Sequence, residues 1–255
     1  MHDSAYCYPN SSVLINKLNI RNARKLLAAE IDLTSIRLQE LESNPLRGSF
    51  DFLHLRRIHK YIFQDLYTWA GEVRTVEIGK GNLFCTTACI DSYAACIFDK
   101  YFRQCYDVKE NKGQFVETLA KNYGDLNALH PFREGNGRAQ REFARVVCKE
   151  CGYDFRLACT THAEILAASK LSFNTGNHTG LSEIFSRAVS PIGTADESQA
   201  EVFLKILTSD DLTISSEQYY TYVAGCEENT YRLYNEMFVK KIDEFKKRST
   251  EKNDA

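Results

Sequence analysis

Apolar positions recur along most of this chain at the spacing of one helix face. Over residues 22–42, most of them have another apolar residue three or four positions away: Ala23, Leu26, Leu27, Ile31, Leu33, Ile36, Leu38 and Leu41. This spacing predicts an amphipathic helix, which Pro45 and Gly48 then interrupt. The same pattern predicts helices over 51–67, 90–106, 113–129, 137–150, 161–174 and 180–189.

One segment has the period of a strand instead. Residues 74–78 alternate apolar and polar side chains, 79–82 are rich in turn-forming residues, and 83–85 return with apolar character. The pattern predicts a short β-hairpin. The predicted fold class is therefore all-α with one short hairpin.

The last sixty residues form a separate group. Residues 191–194, with a proline and a glycine, indicate a boundary between a domain over 1–192 and a helical extension over 193–255. Within the extension, helices are predicted at about 197–208 and 211–224. A further helix to about residue 247 leads into a charged tail.

Composition narrows the class of protein. The chain has 255 residues, 44% of them hydrophobic, and a formal net charge of −2. This length supports a real core, while the near-neutral charge gives no reason to expect direct binding of nucleic acid. The apolar runs are too short to span a bilayer, and the N-terminus does not resemble a signal peptide, so we expect a cytoplasmic protein.

Nine cysteines raise the question of a metal or disulfide site. Cys148 and Cys151 form one C-x-x-C pair, but a structural zinc site needs a second pair or suitably spaced histidines. His54 and His59 are five apart, which is not metal-ligand spacing, and we interpret them as packing or surface residues. Reduced thiols are the expectation, and Cys148 falls on the apolar side of its helix.

Candidate chemistry is concentrated in residues 130–141. They place His130, the carboxylate of Glu134, Asn136 between Gly135 and Gly137, and the arginines Arg138 and Arg141 at one turn-to-helix junction. The glycines allow close backbone approach, and a helix starting near Gly137 would aim unpaired amides at an anion. The arginines are three apart and share a helix face. The composition of the junction suggests a polyphosphate ligand.

This run resembles the signature of the Fic family at every specified position: His-Pro-Phe, any residue, Asp or Glu, Gly-Asn-Gly-Arg, any two residues, and Arg. Residues 14–20, 54–59 and 63–74 are also similar to the family, so the resemblance covers roughly three-quarters of the chain. It implies adenylylation (AMPylation), in which AMP from ATP is transferred to a Ser, Thr or Tyr hydroxyl of a target protein.

The resemblance also implies roles for individual residues. His130 is the base that takes the proton of the attacking hydroxyl. Glu134 holds Mg²⁺, and Asn136 together with the amides around Gly135 and Gly137 cradles the phosphates. Arg138 contacts the β-phosphate and Arg141 the γ-phosphate. Phe132 is interpreted as a core residue.

The hairpin has an implied role as well. In the family, a flap at this position, here about 74–86, lies over the active site, and an extended target segment pairs with its edge. The docking residues would be Ile78, Gly79, Lys80, Gly81, Asn82, Leu83 and Phe84. An ordinary connecting hairpin is the alternative.

An inhibitory helix is implied for the C-terminal extension. The family pattern is Ser or Thr, three residues, Glu, then Gly or Asn. Thr213 and Glu217 fit it, whereas Gln218 departs from it. In such proteins the glutamate pairs with the last signature arginine, here Arg141, and blocks the γ-phosphate. The alternative is that Thr213 is an ordinary N-cap with Glu217 in the first turns; Glu228 is a weaker inhibitory candidate.

Three functions remain open at this point. The first is a protein adenylyltransferase with ATP and Mg²⁺, held in check by Glu217. The second is transfer of another phosphate-containing group, or removal of AMP, on the same scaffold. The third is a catalytically quiet module that binds nucleotide and partner proteins. The identity of the target and the oligomeric state, a homo-oligomer included, stay open.

Overall fold

Helices make up most of the computed structural model, which describes residues 5–80, 82–157 and 160–193. The α-helices are α1 (Ala23–Ser43), α2 (Phe52–Phe63), α3 (Ile90–Phe98), α4 (Tyr101–Asp107), α5 (Lys112–Leu129), α6 (Asn136–Glu150), α7 (His162–Thr175) and α8 (Thr179–Ala188). Four short strands form two antiparallel pairs: β1 (Gly79–Lys80) with β2 (Asn82–Leu83), and β3 (Tyr153–Phe155) with β4 (Val189–Pro191). The predicted fold class, mostly helical with a small hairpin, is confirmed.

Helix α5 is the centre of the bundle. It packs against α3, α4, α6, α7 and α8, while α6 also packs against α2. The inward faces of both helices are fully buried; they include Phe115, Leu119, Leu126, Leu129, Phe143 and Val147. Because each such side chain contributes about 1.5–3 kcal/mol on burial, the two helices are held firmly on either side of the loop that joins them.

Several predicted helices match the observed ones closely. Helix α1 begins after Asn22, whose side chain accepts a hydrogen bond from the N–H of Lys25, as expected of an N-cap. Helix α2 begins after Asp51 but ends at Phe63, four residues before the predicted end. There the N–H groups of Leu66 and Tyr67, three and four residues further on, both bond to the carbonyl of Phe63, so a tighter turn ends the helix.

The predicted helix over 90–106 is wrong in one respect, because it is two helices. Lys100 lies between them, and its N–H bonds to the carbonyl of Ile97, three residues back, at 3.3 Å. The change of direction buries Tyr101 and Cys105 completely. Periodicity does not reveal this break, since both pieces carry apolar residues at helical spacing.

The hairpin is shorter than predicted, and residues 74–78 are not a strand. Its register pairs Gly79 with Leu83 and Lys80 with Asn82. The apolar–polar alternation before it has another cause: the side chain of Arg74 is buried and bonds to backbone carbonyls, and the chain bends at residues 75 and 76 around this arginine.

A second small sheet, which the sequence pattern does not predict, joins two short strands. Strand β3 follows Gly152, which has a φ of +88°, and pairs with β4 over three residues. Tyr153, Phe155 and Val189 are buried in this sheet, which links the end of α6 to the end of α8. Strands this short have little local signal, so their pairing depends on the packing of the two helices.

Two expectations on composition can be checked against the described residues. Cys148 is fully buried, and each described cysteine is a free thiol. None of the helices in the described part is long and apolar enough to cross a bilayer.

Residues 194–255, with the proposed inhibitory residues Thr213 and Glu217, lie outside the described residues, as does Gly81 of the flap.

Candidate active site

The junction between α5 and α6 starts at a residue in an unusual backbone conformation. His130 is the C-cap of α5 and has φ 43° and ψ 60°, the left-handed region that side chains other than glycine rarely adopt. Pro131 follows, and its carbonyl accepts a hydrogen bond from the N–H of Arg74 at 2.9 Å. Such conformations persist where the surrounding structure enforces them, often at functional sites.

The imidazole of His130 is oriented from two sides. Its Nδ1 lies 3.0 Å from the carbonyl oxygen of Asn127, and because a carbonyl only accepts, Nδ1 carries the hydrogen. In the neutral ring, the lone pair is therefore on Nε2. The ring of Phe84 stacks on the imidazole with centroids 3.7 Å apart and planes within 5°. His130 is half-buried and has the tautomer that a general base requires.

The N-terminus of α6 has the features of an anion site. Gly135 is its N-cap with φ +80°, and a Cβ on this glycine would lie 2.1 Å from Cζ of the buried Phe63. Only glycine fits this position. Within the described residues, the backbone N–H groups of Asn136, Gly137 and Arg138 have no hydrogen-bond acceptor, as expected for a first helical turn.

The side chain of Asn136 holds the loop in shape. Its Oδ1 accepts from the N–H of Phe132 at 2.9 Å, and its Nδ2 donates to the carbonyl of Phe132 at 2.7 Å. Phe132 itself is fully buried, as predicted. Asn136 can therefore bind an anion through its backbone N–H, while its side chain stabilises the loop.

The two signature arginines differ in their surroundings. Arg138 forms an ion pair with Glu30 of α1 and donates from Nη1 to Thr34 Oγ1 at 3.2 Å. Its Cζ lies 4.6 Å from the ring centroid of Phe63. Arg141 is half-exposed and lies beside Tyr123. Burial raises the pKa of Tyr123, and the positive charge of Arg141 offsets part of this rise. Two cations therefore stand on one face of α6.

Glu134 lies at the exposed edge of the site. Its Oε1 accepts from the N–H of Gly135 at 2.9 Å and is 3.9 Å from Nη2 of Arg138. No group of three or more His, Cys, Asp or Glu side chains in the described part could form a metal site by itself. A single exposed carboxylate beside an anion site still fits Mg²⁺, which uses one or two protein carboxylates plus substrate phosphates.

These groups line one cavity of about 740 Å³. The wall contains His130, Glu134, Arg138 and Arg141 together with the flap residue Phe84. Ile78 and Gly79 of the flap also line it, as do Gly135, Asn136 and Gly137 of the junction. Leu83 points away into solvent with 64% of its surface exposed. The structure thus brings the signature residues with a predicted ligand or catalytic role to one cavity, and part of the hairpin lines the same cavity.

Arg74 was not identified from the sequence as a residue of the site. Its guanidinium donates to the carbonyls of His130 and Val76 at 2.9 Å each, and to that of Cys85. It is 2% exposed. A single buried arginine thus ties the backbone of the predicted base to both sides of the flap. Its position within the family-like run over 63–74 was the available signal.

His59 is a second residue of this kind. Its Nδ1 accepts from the N–H of Gly71 at 2.8 Å, so its Nε2–H donates to the carbonyl of Glu134 at 2.9 Å. The ring stacks on Phe132 with centroids 3.8 Å apart. The packing interpretation of His59 is confirmed, and the structure adds that it fastens the backbone of Glu134.

Burial lowers the pKa of His59 to about 3, which makes stability depend on pH. The unfolded side chain has a pKa of about 6.5, so between these values the unfolded state binds more protons, and acid favours unfolding. We expect the free energy of unfolding to fall by about 2 kcal/mol between pH 7 and pH 5 through this residue. Denaturant titrations of the parent and His59→Gln measure it. The difference in free energy of unfolding between the parent and His59→Gln should become smaller from pH 7 to pH 5. A difference that does not change with pH would show that His59 is not the group responsible.

Comparison with known proteins agrees with the geometry. The sequence profile of the Fic/DOC family matches residues 49–148. A curated protein of Escherichia coli (strain K12), named "Probable protein adenylyltransferase Fic", is 36% identical over 193 residues, which are 75% of this chain and 94% of that protein. The chain belongs to the Fic/DOC family.

Solved Fic structures have the same fold. The N-terminal Fic domain of a VirB-translocated Bep effector protein from Bartonella quintana, with bound ADP, has a TM-score of 0.67 at 26% identity, covering 73% of this chain and 95% of that chain. BepC from Bartonella tribocorum, with bound AMPPNP, has a TM-score of 0.68 at 22% identity, covering 73% and 97%. The predicted membership in the Fic family is confirmed.

Proposed function

We propose that this Fic protein transfers AMP from ATP to a Ser, Thr or Tyr hydroxyl of a target protein. The observation that carries the proposal is one cavity lined by His130, whose Nδ1 bonds to the carbonyl of Asn127, by the start of α6 with its backbone amides, and by two arginines. The name of the Escherichia coli relative supports it. The reaction would take place in the cytoplasm, where free thiols stay reduced.

The chemistry follows from this arrangement. Nε2 of His130 takes the proton of the target hydroxyl as its oxygen attacks the α-phosphorus of ATP. A new bond forms between that oxygen and phosphorus, while the bond from phosphorus to the bridging oxygen of pyrophosphate breaks, and pyrophosphate leaves. Transfer of this type needs mainly positioning and charge stabilisation, which the amides of residues 136–138 and the guanidinium groups of Arg138 and Arg141 would supply.

Glu134 is the residue that would hold Mg²⁺. It exposes about half of its side chain at the edge of the cavity, and only its Oε1 bonds to a backbone N–H in the described part of the chain. When bound, Mg²⁺ would neutralise phosphate charge and help to orient the leaving group. The remaining tasks, proton removal and orientation of the base, belong to His130, Asn127 and Phe84.

Target docking on the flap is a further part of the proposal. Asn82 and Leu83 of β2 are exposed, and only two residues of each strand pair within the hairpin. An extended target segment would add to this edge through backbone hydrogen bonds, which tolerate varied side chains. Phe84, at the base of the flap, would then place the target hydroxyl near His130.

Labelled ATP tests the proposed function. The purified protein is incubated with cell lysate and ATP labelled at the α-phosphate, and labelled protein bands are identified by mass. Label on protein supports adenylyl transfer. Loss of AMP from a premodified target would favour removal of AMP, and label from the γ-phosphate would favour another transferred group. Nucleotide binding with none of these would indicate a quiet binding module.

We also propose autoinhibition by Glu217, which follows from the sequence pattern alone because this residue lies outside the described part. A carboxylate paired with Arg141 competes with the γ-phosphate for the same donors. Glu217→Gly should raise self-labelling by about tenfold, a common size for coupling between sites. Glu228→Gly is the matched control and should behave as the parent. Unchanged labelling of Glu217→Gly would favour inhibition by a separate protein.

A further inference from the structure

Helix α1 contributes a buried carboxylate to the wall behind the active site. The side chain of Glu30 is 10% exposed, although this residue is charged and precedes the signature by about a hundred residues. Buried carboxylates are rare unless they are paired, so its partners indicate why it is there.

Both carboxylate oxygens of Glu30 are engaged. Oε1 accepts from Nη2 of Arg138, and Oε2 accepts from the hydroxyl of Tyr67. One turn further along α1, the hydroxyl of Thr34 accepts from Nη1 of Arg138 at 3.2 Å and itself donates to the carbonyl of Glu30 at 2.7 Å. Two neighbouring nitrogens of the guanidinium are thus held from one helix.

Tyr67 makes this arrangement rigid. Burial, together with the negative charge of Glu30, raises the pKa of Tyr67 well above its ordinary value, so its hydroxyl remains a donor. Phe63 covers one face of the guanidinium at 4.6 Å. Arg138 has five N–H donors, and the two described here leave others for a ligand.

Arg138 and its three partners differ in their position relative to the cavity, which indicates different roles. Arg138 lines the cavity, whereas Glu30, Thr34 and Tyr67 do not. Glu30 approaches the arginine from behind the cavity wall, so its carboxylate does not face a ligand.

We propose that Glu30 is a positioning residue which, with Tyr67, sets the orientation of Arg138 for the phosphates of ATP beyond the α-phosphate. The inference rests on the proposed function in so far as ATP is the ligand. It predicts a selective effect, because AMP lacks the phosphates that Arg138 would contact. Loss of the orientation should weaken binding of the triphosphate and leave AMP binding unchanged.

The test uses Glu30→Asp, which keeps the charge but withdraws the carboxylate by one methylene. Calorimetry measures affinity for α,β-methylene-ATP, whose α–β bridge cannot be cleaved, and for AMP, in the presence of Mg²⁺. We expect the affinity for the triphosphate to fall about tenfold, as when one charge-assisted hydrogen bond is misplaced, with no change for AMP. In an Arg138→Gln background, Glu30→Asp should cause no further loss.

The matched control is Glu40→Asp, since Glu40 on the same helix also pairs with an arginine, Arg37, and a tyrosine hydroxyl, that of Tyr61, but away from the cavity. It should leave both affinities as in the parent. Should Glu30→Asp fail to fold, Tyr67→Phe removes one hydrogen bond from the same carboxylate and should show a smaller selective loss.

Equal losses for AMP and the triphosphate, or full triphosphate affinity in Glu30→Asp, would overturn the inference. An undiminished effect of Glu30→Asp in the Arg138→Gln background would do so as well. The readout is binding, so it does not depend on transfer. A selective loss in a protein that labels no target would leave the role of Glu30 standing and reject adenylyl transfer.

Discussion

His130→Ala is expected to reduce adenylyl transfer by about a thousandfold, the usual range for loss of a general base. The imidazole, with Nδ1–H bonded to Asn127, presents its lone pair to an incoming hydroxyl and makes no essential contact to the nucleotide in the proposed mechanism. ATP affinity should therefore stay within about twofold of the parent. This is well below the tenfold change in affinity that corresponds to about 1.4 kcal/mol. Labelling with α-labelled ATP and calorimetry with α,β-methylene-ATP measure the two quantities.

The control for this variant is His178→Ala. His178 is also a half-buried histidine, with Nδ1 2.9 Å from the hydroxyl of Ser172, but it does not line the cavity. It should retain transfer at the rate of the parent. A His130→Ala protein that loses nucleotide binding and transfer together would contradict the role of general base, because the imidazole would then be part of the nucleotide site.

Arg74→Met is expected to lower the free energy of unfolding by on the order of 3 kcal/mol, because it leaves three backbone carbonyls without their donor. Methionine fills much of the space of the arginine stem, so the loss comes mainly from hydrogen bonds. The carbonyl of His130 and that of Cys85 in the flap share this guanidinium. Transfer should fall at least about a hundredfold in protein that is still folded, since the base and the flap lose their common anchor.

Denaturant unfolding and labelling at low temperature measure both effects. Arg57→Met is the matched control: Arg57 is exposed on α2 and donates to one carbonyl, that of Arg47, at 3.1 Å. It should change stability by less than about 0.5 kcal/mol, as surface substitutions usually do. A loss in Arg74→Met no greater than that in Arg57→Met would show that the buried arginine is not an anchor.

The pattern of nearby residues along the sequence was sufficient to predict most helices and the junction at residues 130–141. Helix α1 is an example, because Asn22 and the apolar spacing after it mark the start without help from the rest of the chain. Gly135 is another: the sequence placed a glycine that allows close backbone approach next to a helix start, and the structure gives it a φ of +80°. Such features depend on residues within one or two turns of each other, which is the range over which sequence patterns are informative.

The local pattern was misleading where a side chain packs against or bonds to residues that are distant in the sequence. The alternation over residues 74–78 predicted a strand, but Arg74 turns inward to carbonyls up to fifty-six residues away in the chain. Likewise, apolar periodicity continued through Lys100, where the chain changes direction to bury Tyr101. In both places, tertiary contacts outweigh the local preference.

By itself, the sequence determined that this chain folds mainly as helices, that it carries the Fic signature, and that His130, a glycine-flanked helix start and two arginines meet at one loop. Only the tertiary structure decided which groups orient them: Glu30 with Arg138, His59 with the carbonyl of Glu134, and Arg74 with that of His130. The reason is that these partners are joined by buried hydrogen bonds between distant segments. Their distances are set by how the helices pack, and no spacing along the chain encodes them.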